Sequence, residues 1–305
     1  MQIRYNSLNS FLKKKFKCDK VRKIPINAGF SCPNKNGEIS KTGCIFCDKF
    51  GSGPIGMFNR SIREQIEEFT SSNKGIKFIA YYQAHSNTYA SVKELEEKYN
   101  IIFEYEDIVG LSLGTRPDSI APDVFPLLDK IAKKTYLSVE LGLQSIHDKS
   151  LDFLKRNHSY EIFLDTFNKL KGLNIDVVVH LIVGIPGENK DEMKESVYEM
   201  NRIKPAGVKF HLFHVLKDTE LYKMYERGGI ELMDRGEYID TVVELLCELN
   251  EDIVVHRLTG DRDLELFHAP EWAIDRKRVI SGIQNKMRLE SLSQGCRIVT
   301  QNSKV

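Results

Sequence analysis

Gly29-Phe-Ser-Cys-Pro-Asn-Lys-Asn-Gly37 and then Thr42-Gly-Cys-Ile-Phe-Cys47 follow directly on Val21–Asn27, an apolar run that reads as a first β-strand. Three cysteines, Cys32, Cys44 and Cys47, therefore share one loop at a strand end. Three thiolates can hold a four-iron cluster by three corners and leave the fourth iron open, whereas electron-transfer clusters have four protein ligands. An open position on a metal is where a substrate or cofactor binds. Gly43 lets the backbone fold close to a metal. Two rivals stand beside this reading. A structural zinc site wants four ligands, and the fourth would be His85, at the next strand end, or Cys18, expected at the far end of the first strand. A redox Cys44-x-x-Cys47 pair leaves Cys32 unexplained.

The alternation of strand and polar loop repeats outward from there. Apolar, β-branched runs predict further strands at Lys77–Gln83, Asp107–Gly114, Thr135–Leu143, Asp176–Gly184 and Val208–Val215. Helical spacing lies between them, from the capping-box signature Ser61-Ile-Arg-Glu64 to Phe69, then over Ser91–Tyr99, Pro122–Lys134, Tyr160–Leu173 and Lys190–Ile203. Six strands alternating with helices imply parallel βαβ units, in an open doubly wound sheet or an incomplete barrel. Val177–Val183 is apolar on both faces, as expected of a parallel strand covered by helices. Both architectures place ligands at the carboxyl ends of the strands. The polar segments fall there: the cysteine loop, Gln83-Ala-His-Ser-Asn-Thr88, Gly114-Thr-Arg-Pro-Asp118, Gln144-Ser145 and Gly184-Ile-Pro-Gly-Glu188. After Thr219 the rhythm fades into a helix over Tyr238–Asn250, a short strand Ile253–Leu258, the polar turn Asp261-Arg-Asp263 and a basic helical tail from Asp275 to Ser291. The expected division is a core of residues 1–230 and an extension of residues 231–305.

With 305 residues, 41% of them hydrophobic, the chain can bury a full core. Its net charge of +1 gives no global bias towards polyanions, but the charge is uneven. Residues 1–23 carry eight Lys or Arg against one acid, and the tail from Glu271 seven against three, a pattern suited to a local polyanion footprint or to solvated surface lysine. Six cysteines are too few for a disulfide scaffold, and their clustering points to metal. No run reaches the ~18 apolar residues of a membrane span. The N-terminus lacks the apolar core of a secretory signal. A reducing cytoplasm is the expected compartment.

The motifs together resemble the radical S-adenosylmethionine (SAM) superfamily. Its commonest cysteine pattern has three residues in the first gap. Here there are eleven, which is similar to the Elp3-like branch and especially its YtqA/YhcC-type subfamily. The matching pieces include Lys23-Ile-Pro-Ile-Asn-Ala-Gly-Phe-Ser-Cys-Pro-Asn34, Ala80-Tyr-Tyr-Gln-Ala-His-Ser-Asn-Thr-Tyr89, Glu140-Leu-Gly-Leu-Gln-Ser145 and His180-Leu-Ile-Val-Gly-Ile-Pro-Gly-Glu188. The resemblance implies an α/β fold, a partial (β/α)6 TIM-like barrel with a small C-terminal α/β extension. It implies a 4Fe–4S cluster on Cys32, Cys44 and Cys47, and SAM chelating the open iron. One-electron cleavage of SAM would then give a 5′-deoxyadenosyl radical, which needs a dry, closed cavity. It implies Phe46 beside the adenine, with Ile182 and Gly184 packed against it. The Gly-Gly-Glu that holds the SAM amino group elsewhere is missing, so Gln83 or Asn87 would substitute. Glu140 would take the ribose hydroxyls, and Thr115 and Arg116 the SAM carboxylate or the substrate. The implied substrate is tRNA wobble uridine, converted from its 5-carboxymethylaminomethyl to its 5-aminomethyl form, with or without 2-thiolation. The implied partners are a flavodoxin- or ferredoxin-type reductant and a tRNA methyltransferase acting on the released amine.

Plainer readings accompany these assignments. Glu140 could simply pair with Arg116. Gln144 and Ser145 could cap the next helix with Asp148. His180, in an apolar strand, reads as a core histidine as well as a base. His180, His211 and Arg116 are the catalytic candidates. Cys247 reads as core, and Cys296 lies in the tail. The rival functions are a radical SAM enzyme acting on a small molecule or protein side chain, and a non-catalytic, metal-stabilised RNA-binding scaffold.

Overall fold

The computed structural model describes residues 3–298 apart from 52, 54, 74 and 261, so Asp261 and the residues beyond 298 lie outside it. The strands are β1 (Val21–Ile26), β2 (Lys77–Tyr82), β3 (Ile108–Thr115), β4 (Tyr136–Gln144), β5 (Asp176–Val183), β6 (Gly207–Leu212), β7 (Val215–Leu216), β8 (Val254–Arg257) and β9 (Phe267–Ala269). The helices are α1 (Leu8–Phe16), α2 (Pro33–Asn36), α3 (Ile62–Ser71), α4 (Val92–Asn100), α5 (Val124–Ala132), α6 (Asp148–Phe153), α7 (Tyr160–Gly172), α8 (Lys190–Ile203), α9 (Glu220–Glu226), α10 (Arg235–Glu248) and α11 (Arg276–Leu289).

Seven strands make one parallel sheet in the order β1-β2-β3-β4-β5-β6-β8, and β7 and β9 form a separate antiparallel pair. A doubly wound sheet would reverse its strand order part-way. Here the order never reverses, so right-handed crossovers put the helices on one face and the sheet curls round the other. The result is the expected partial barrel. The short strand in the C-terminal extension joins its edge as the seventh strand.

Side-chain alternation separates the two faces. Ile24, Ala80, Leu111, Val139, Val179, Val208 and Val255 belong to the apolar layer under the helices. Lys23, Tyr81, Glu140, His180, Lys209 and His256 line a cavity on the inner face. This corrects the reading of Val177–Val183 as covered by helices on both faces. Val177, Val179, Leu181 and Val183 pack under the helices, while His180 and Ile182 look into the lumen. The lumen is lined by loops and by residues of α1, α2 and α11 rather than packed by the crossover helices, so an apolar strand can carry a polar histidine there.

Local signals hold in detail. Ser61 and Glu64 form a reciprocal capping box at α3, and Asn189 and Glu192 do the same at α8. Pro122 is not in the first turn of α5, because Asp123 is the N-cap and the helix starts at Val124. Nor do Gln144 and Ser145 cap α6. Ser145 Oγ accepts from the His147 backbone N–H at 3.1 Å, and Asp148 Oδ1 accepts from the Tyr160 N–H at 2.9 Å.

The first helix had no strong signature in the sequence. It is capped by Ser7, packs on β1 and β8, and fills the gap between the outer strands. The chain just before it extends the sheet: the Val255 N–H donates to the Asn6 carbonyl at 2.7 Å, and Ser7 bridges to Val255. Its Lys13, Lys14 and Lys15 are exposed, as are Arg276, Lys277 and Arg278 at the start of α11. Among the described residues no helix is long and apolar enough to cross a membrane.

Candidate active site

The chain leaving β1 is anchored before it reaches the cysteines. Gln65, fully buried on α3, accepts from the Asn27 N–H at 2.8 Å and donates to the carbonyls of Asn27 and Arg60 at 2.8 and 2.9 Å. Cys32 is the N-cap of α2, with Pro33 in the first turn, where its missing N–H costs nothing. Asn34 ties this turn to the α6–α7 connection, donating to the Lys155 carbonyl at 2.9 Å and accepting from Asn157 at 2.6 Å. The second turn is closed by the Cys47 N–H on the Cys44 carbonyl at 3.0 Å and is reached through Gly43, whose φ is +77°. Leu154 and Leu221 clamp Ile45 by backbone hydrogen bonds of 3.2 and 2.9 Å. Cys32, Cys44, Phe46 and Cys47 all line one cavity of about 780 Å³.

Three N–H donors point at the Cys44 sulfur: Arg156 Nη1 at 3.3 Å, Asn34 Nδ2 at 3.4 Å and Arg116 Nη1 at 3.9 Å. Such donors orient a metal-bound sulfur and take up part of its negative charge. Arg116 is fixed by both oxygens of Asp118, at 2.8 and 2.6 Å, and donates to the Arg156 carbonyl at 2.6 Å. Arg156 donates to the Gly142 carbonyl at 2.5 Å, beside the register shift of β4, where Gln144 adopts φ +82°. A Cβ on Gly142 would stand 2.9 Å from Gln144 Nε2 and 3.2 Å from Arg156 Nη2. Gly142→Ala is therefore expected to cost about 1–3 kcal/mol in chemical denaturation. It should also pull Arg156 off Cys44, read as an altered cluster spectrum in the reconstituted variant. Burial pushes the Cys47 thiol up to about 12 against the opposing charge of Lys35, so metal binding must supply the drive to ionise it.

Below the cysteines the lumen is charged. Glu140 is fully buried on β4 and accepts from Lys23 and Ser112 on Oε1, and from His180, at 2.8 Å, and Lys209 on Oε2. Burial alone would raise its pKa, but Lys209, Lys23 and His180 together hold it well below the ordinary carboxylate value. Burial pulls Lys209 down to about 7 and His180 to about 4, and His211 and His256 well below the usual imidazole value. The histidines are therefore neutral at pH 7, and His180 donates its Nε2–H to Glu140.

The cavity brings together most of the residues singled out in the sequence: Cys32, Cys44, Cys47, Phe46, Gln83, Thr115, Arg116, Glu140, His180, Ile182 and His211. Two stand outside its wall. Asn87 is buried behind it and donates to the Ala84 and Gly114 carbonyls at 3.1 and 2.8 Å. Gly184 turns at φ +87° beneath Met233. Thr115 shares its hydroxyl with Thr88 at 2.7 Å. The suggested Glu140–Arg116 pair does not form, since Arg116 is held by Asp118. Cys18 lies in a small apolar cluster with Leu12, Val21 and Ile79, at the other end of β1. Sequence reasoning passed over Lys23, Tyr81, Arg156, Lys209 and His256. Lysines in the middle of otherwise apolar strands, Lys23 in Val-Arg-Lys-Ile and Lys209 in Val-Lys-Phe, were the available signal.

Comparison with known proteins agrees with this geometry. The Radical SAM superfamily pattern matches residues 36–198, and the Radical_SAM C-terminal domain matches residues 205–288. YtqA of Bacillus subtilis (strain 168) is 35% identical over 96% of this chain and 92% of its own length. A tRNA uridine(34) acetyltransferase of Methanocaldococcus jannaschii is 31% identical over 50% of this chain and 28% of that protein. The solved structure of Methanocaldococcus infernus Elp3 with an N-terminal deletion superposes with a TM-score of 0.63 at 22% identity, over 76% of this chain and 59% of that one, and shares the fold. The cofactors of the family, a 4Fe–4S cluster and SAM, suit the donor set. Cys32, Cys44 and Cys47 face one cavity, and no fourth cysteine lines it among the described residues. His85, the fourth ligand that the zinc reading needed, lines the same cavity, and it is the family match that decides for the cluster over zinc. The chain belongs to the radical SAM superfamily, on the Elp3-like branch that includes YtqA.

Proposed function

We propose that this radical SAM enzyme acts on tRNA, removing the two-carbon acid from a 5-carboxymethylaminomethyl group on the wobble uridine to leave 5-aminomethyluridine or its 2-thio form. The observation that carries the reading is one continuous cavity. It runs from the three cysteines past the lumen lysines and also takes in Arg262, Leu264 and Arg276. Arg276 opens the exposed basic stretch of α11, and Leu264 is 65% exposed. Basic residues at such an edge supply phosphate contacts, which position RNA without reading its sequence. A relative bearing the name tRNA uridine(34) acetyltransferase supports the same base.

When bound, the cluster and SAM supply a hydrogen-abstracting adenosyl radical. The chain's own residues would hold the cluster on Cys32, Cys44 and Cys47 and present the substrate arm to it through the same cavity. Hydrogen loss from the N–CH2–COO⁻ carbon is favoured because the nitrogen lone pair and the carboxylate both stabilise a radical there. With the iron–sulfur cluster, left oxidised once SAM has been cleaved, as the electron acceptor, loss of one further electron and a proton would give an imine, and water would split it to the amine and glyoxylate. A flavodoxin- or ferredoxin-type donor would supply the reducing electron, and a tRNA methyltransferase would take the amine. The test is anaerobic incubation of cluster-loaded protein with SAM, dithionite and tRNA carrying the carboxymethylaminomethyl group. Nucleoside analysis should show 5-aminomethyluridine. Unchanged nucleoside alongside active SAM cleavage overturns the substrate assignment.

A further inference from the structure

The lumen wall facing the cysteine loop holds two ammonium groups, Lys23 from β1 and Lys209 from β6, and both converge on the single carboxylate of Glu140. All four donors on Glu140 are already in place. Lys209 also donates to the Tyr81 hydroxyl at 3.3 Å and lies 4.5 Å from that ring's centroid. Beside them, His211 Nε2 and His256 Nδ1 are buried without any hydrogen-bond partner. The His211 ring centroid is 5.0 Å from that of His180. Buried polar groups are nearly always satisfied, so such orphans mark a place where a ligand completes the network. Excess positive charge in a low-dielectric cavity is costly until an anion arrives.

We propose that Lys23, Lys209, His211 and His256 form a receptor for a terminal carboxylate on the substrate, in the same cavity as the cysteines. Of the groups that meet at Glu140, the two ammoniums less the one carboxylate leave a single positive charge, which a monoanion matches, and a flat carboxylate can share its two oxygens between the ammoniums and imidazole N–H groups. A phosphodiester is excluded by its two sugar attachments, which would require an RNA strand to thread the barrel. The subsite stands on the lumen's own charge. It rests on the proposed function only for the identity of the arm, the glycine-like end of the modified uridine. The receptor would then hold the carboxylate so that the adjacent methylene faces the cysteine end of the cavity, and it would reject arms that lack the acid.

Lys209 is faced by Lys23 on β1, Tyr81 on β2, Glu140 on β4, His180 on β5, His211 on β6, and His256 and Arg257 on β8. Burial, with Lys23 and Arg257, brings it down to about 7 in the free protein, and Glu140 opposes them. A bound carboxylate raises it again. Binding above pH 7 therefore takes up a proton and weakens as pH rises.

The experiment is equilibrium dialysis of radiolabelled N-methylglycine and of its primary amide, in which a neutral carboxamide replaces the carboxylate, against cluster-loaded wild type, Lys209→Met and Lys23→Met, across this pH range. The wild type is expected to bind the acid about ten- to a hundredfold more tightly than the amide, with that preference lost in both variants. No binding of the acid, equal binding of acid and amide, or an undiminished preference in the folded variants overturns the receptor. If the preference behaves as expected while tRNA nucleosides stay unchanged in the assay above, the receptor stands and the wobble-uridine reading falls.

Discussion

Replacing Glu140 with glutamine is expected to lower the unfolding free energy by about 3–5 kcal/mol, the usual cost of removing one partner from a buried ion pair. The carboxylate is fully buried and is the shared counter-charge of Lys23 and Lys209. Without it Lys23 and Lys209 lose their shared counter-charge, and Lys209, already drawn down to about 7, is pushed further towards its neutral form. The companion variant Lys209→Met should behave oppositely, holding or raising stability in the ligand-free protein, because Lys23 and Glu140 then balance one to one. The pH dependence follows from the direction of the Glu140 shift. Its folded pKa lies well below the ordinary 4.5, so the stability it contributes is present above about pH 4.5 and is lost as pH falls through the folded value. Chemical denaturation of the three proteins across acid pH checks both statements. A Glu140→Gln protein as stable as wild type would remove the charge argument altogether.

Cys44→Ala carries the largest expected effect on activity. Its sulfur is nine-tenths buried and collects N–H groups from Arg156, Asn34 and Arg116. Those contacts are weak, and the clamp on Ile45 is made by backbone, so the fold should survive. Cluster assembly should not. After anaerobic reconstitution the variant should lack the brown colour of the wild type and form 5′-deoxyadenosine only at background. Cys18→Ala and Cys247→Ala are the controls, since Cys18 sits at the opposite end of β1 and Cys247 is buried in α10. Both should load and cleave SAM normally. Full loading of Cys44→Ala would contradict the three-thiol site.

Much of this architecture was legible in the residues. Strand runs such as Asp176–Gly184 and the capping signature at Ser61 are local, and local physics fixed them. The cysteine loop was legible because three thiols in a glycine-bounded segment have few other uses. Less visible was anything that depends on which face of a strand looks inward. Val-Val-Val-His-Leu-Ile reads as covered on both sides, because periodicity cannot tell a helix-packed face from a lumen lined by His180 and Ile182. Lys23 and Lys209 escaped notice for the same reason, their partner Glu140 being more than sixty residues from either in sequence. The first helix has a weak apolar pattern, Leu12 being its only fully buried side chain, and its position is set by the gap it fills between β1 and β8. Arg156 could be found only through the fold, since nothing in Leu-Lys-Arg-Asn-His announces a contact with a cysteine more than a hundred positions earlier.

The most direct trial of the account is electron–nuclear double resonance on oxygen-free, reduced protein mixed with SAM labelled in its amino nitrogen and carboxylate oxygen. The account predicts hyperfine coupling from both labels to one iron of a cluster that the polypeptide grips at three corners. A spectrum in which neither label couples, from a cluster fully ligated by the chain or from a protein that holds zinc, would contradict it.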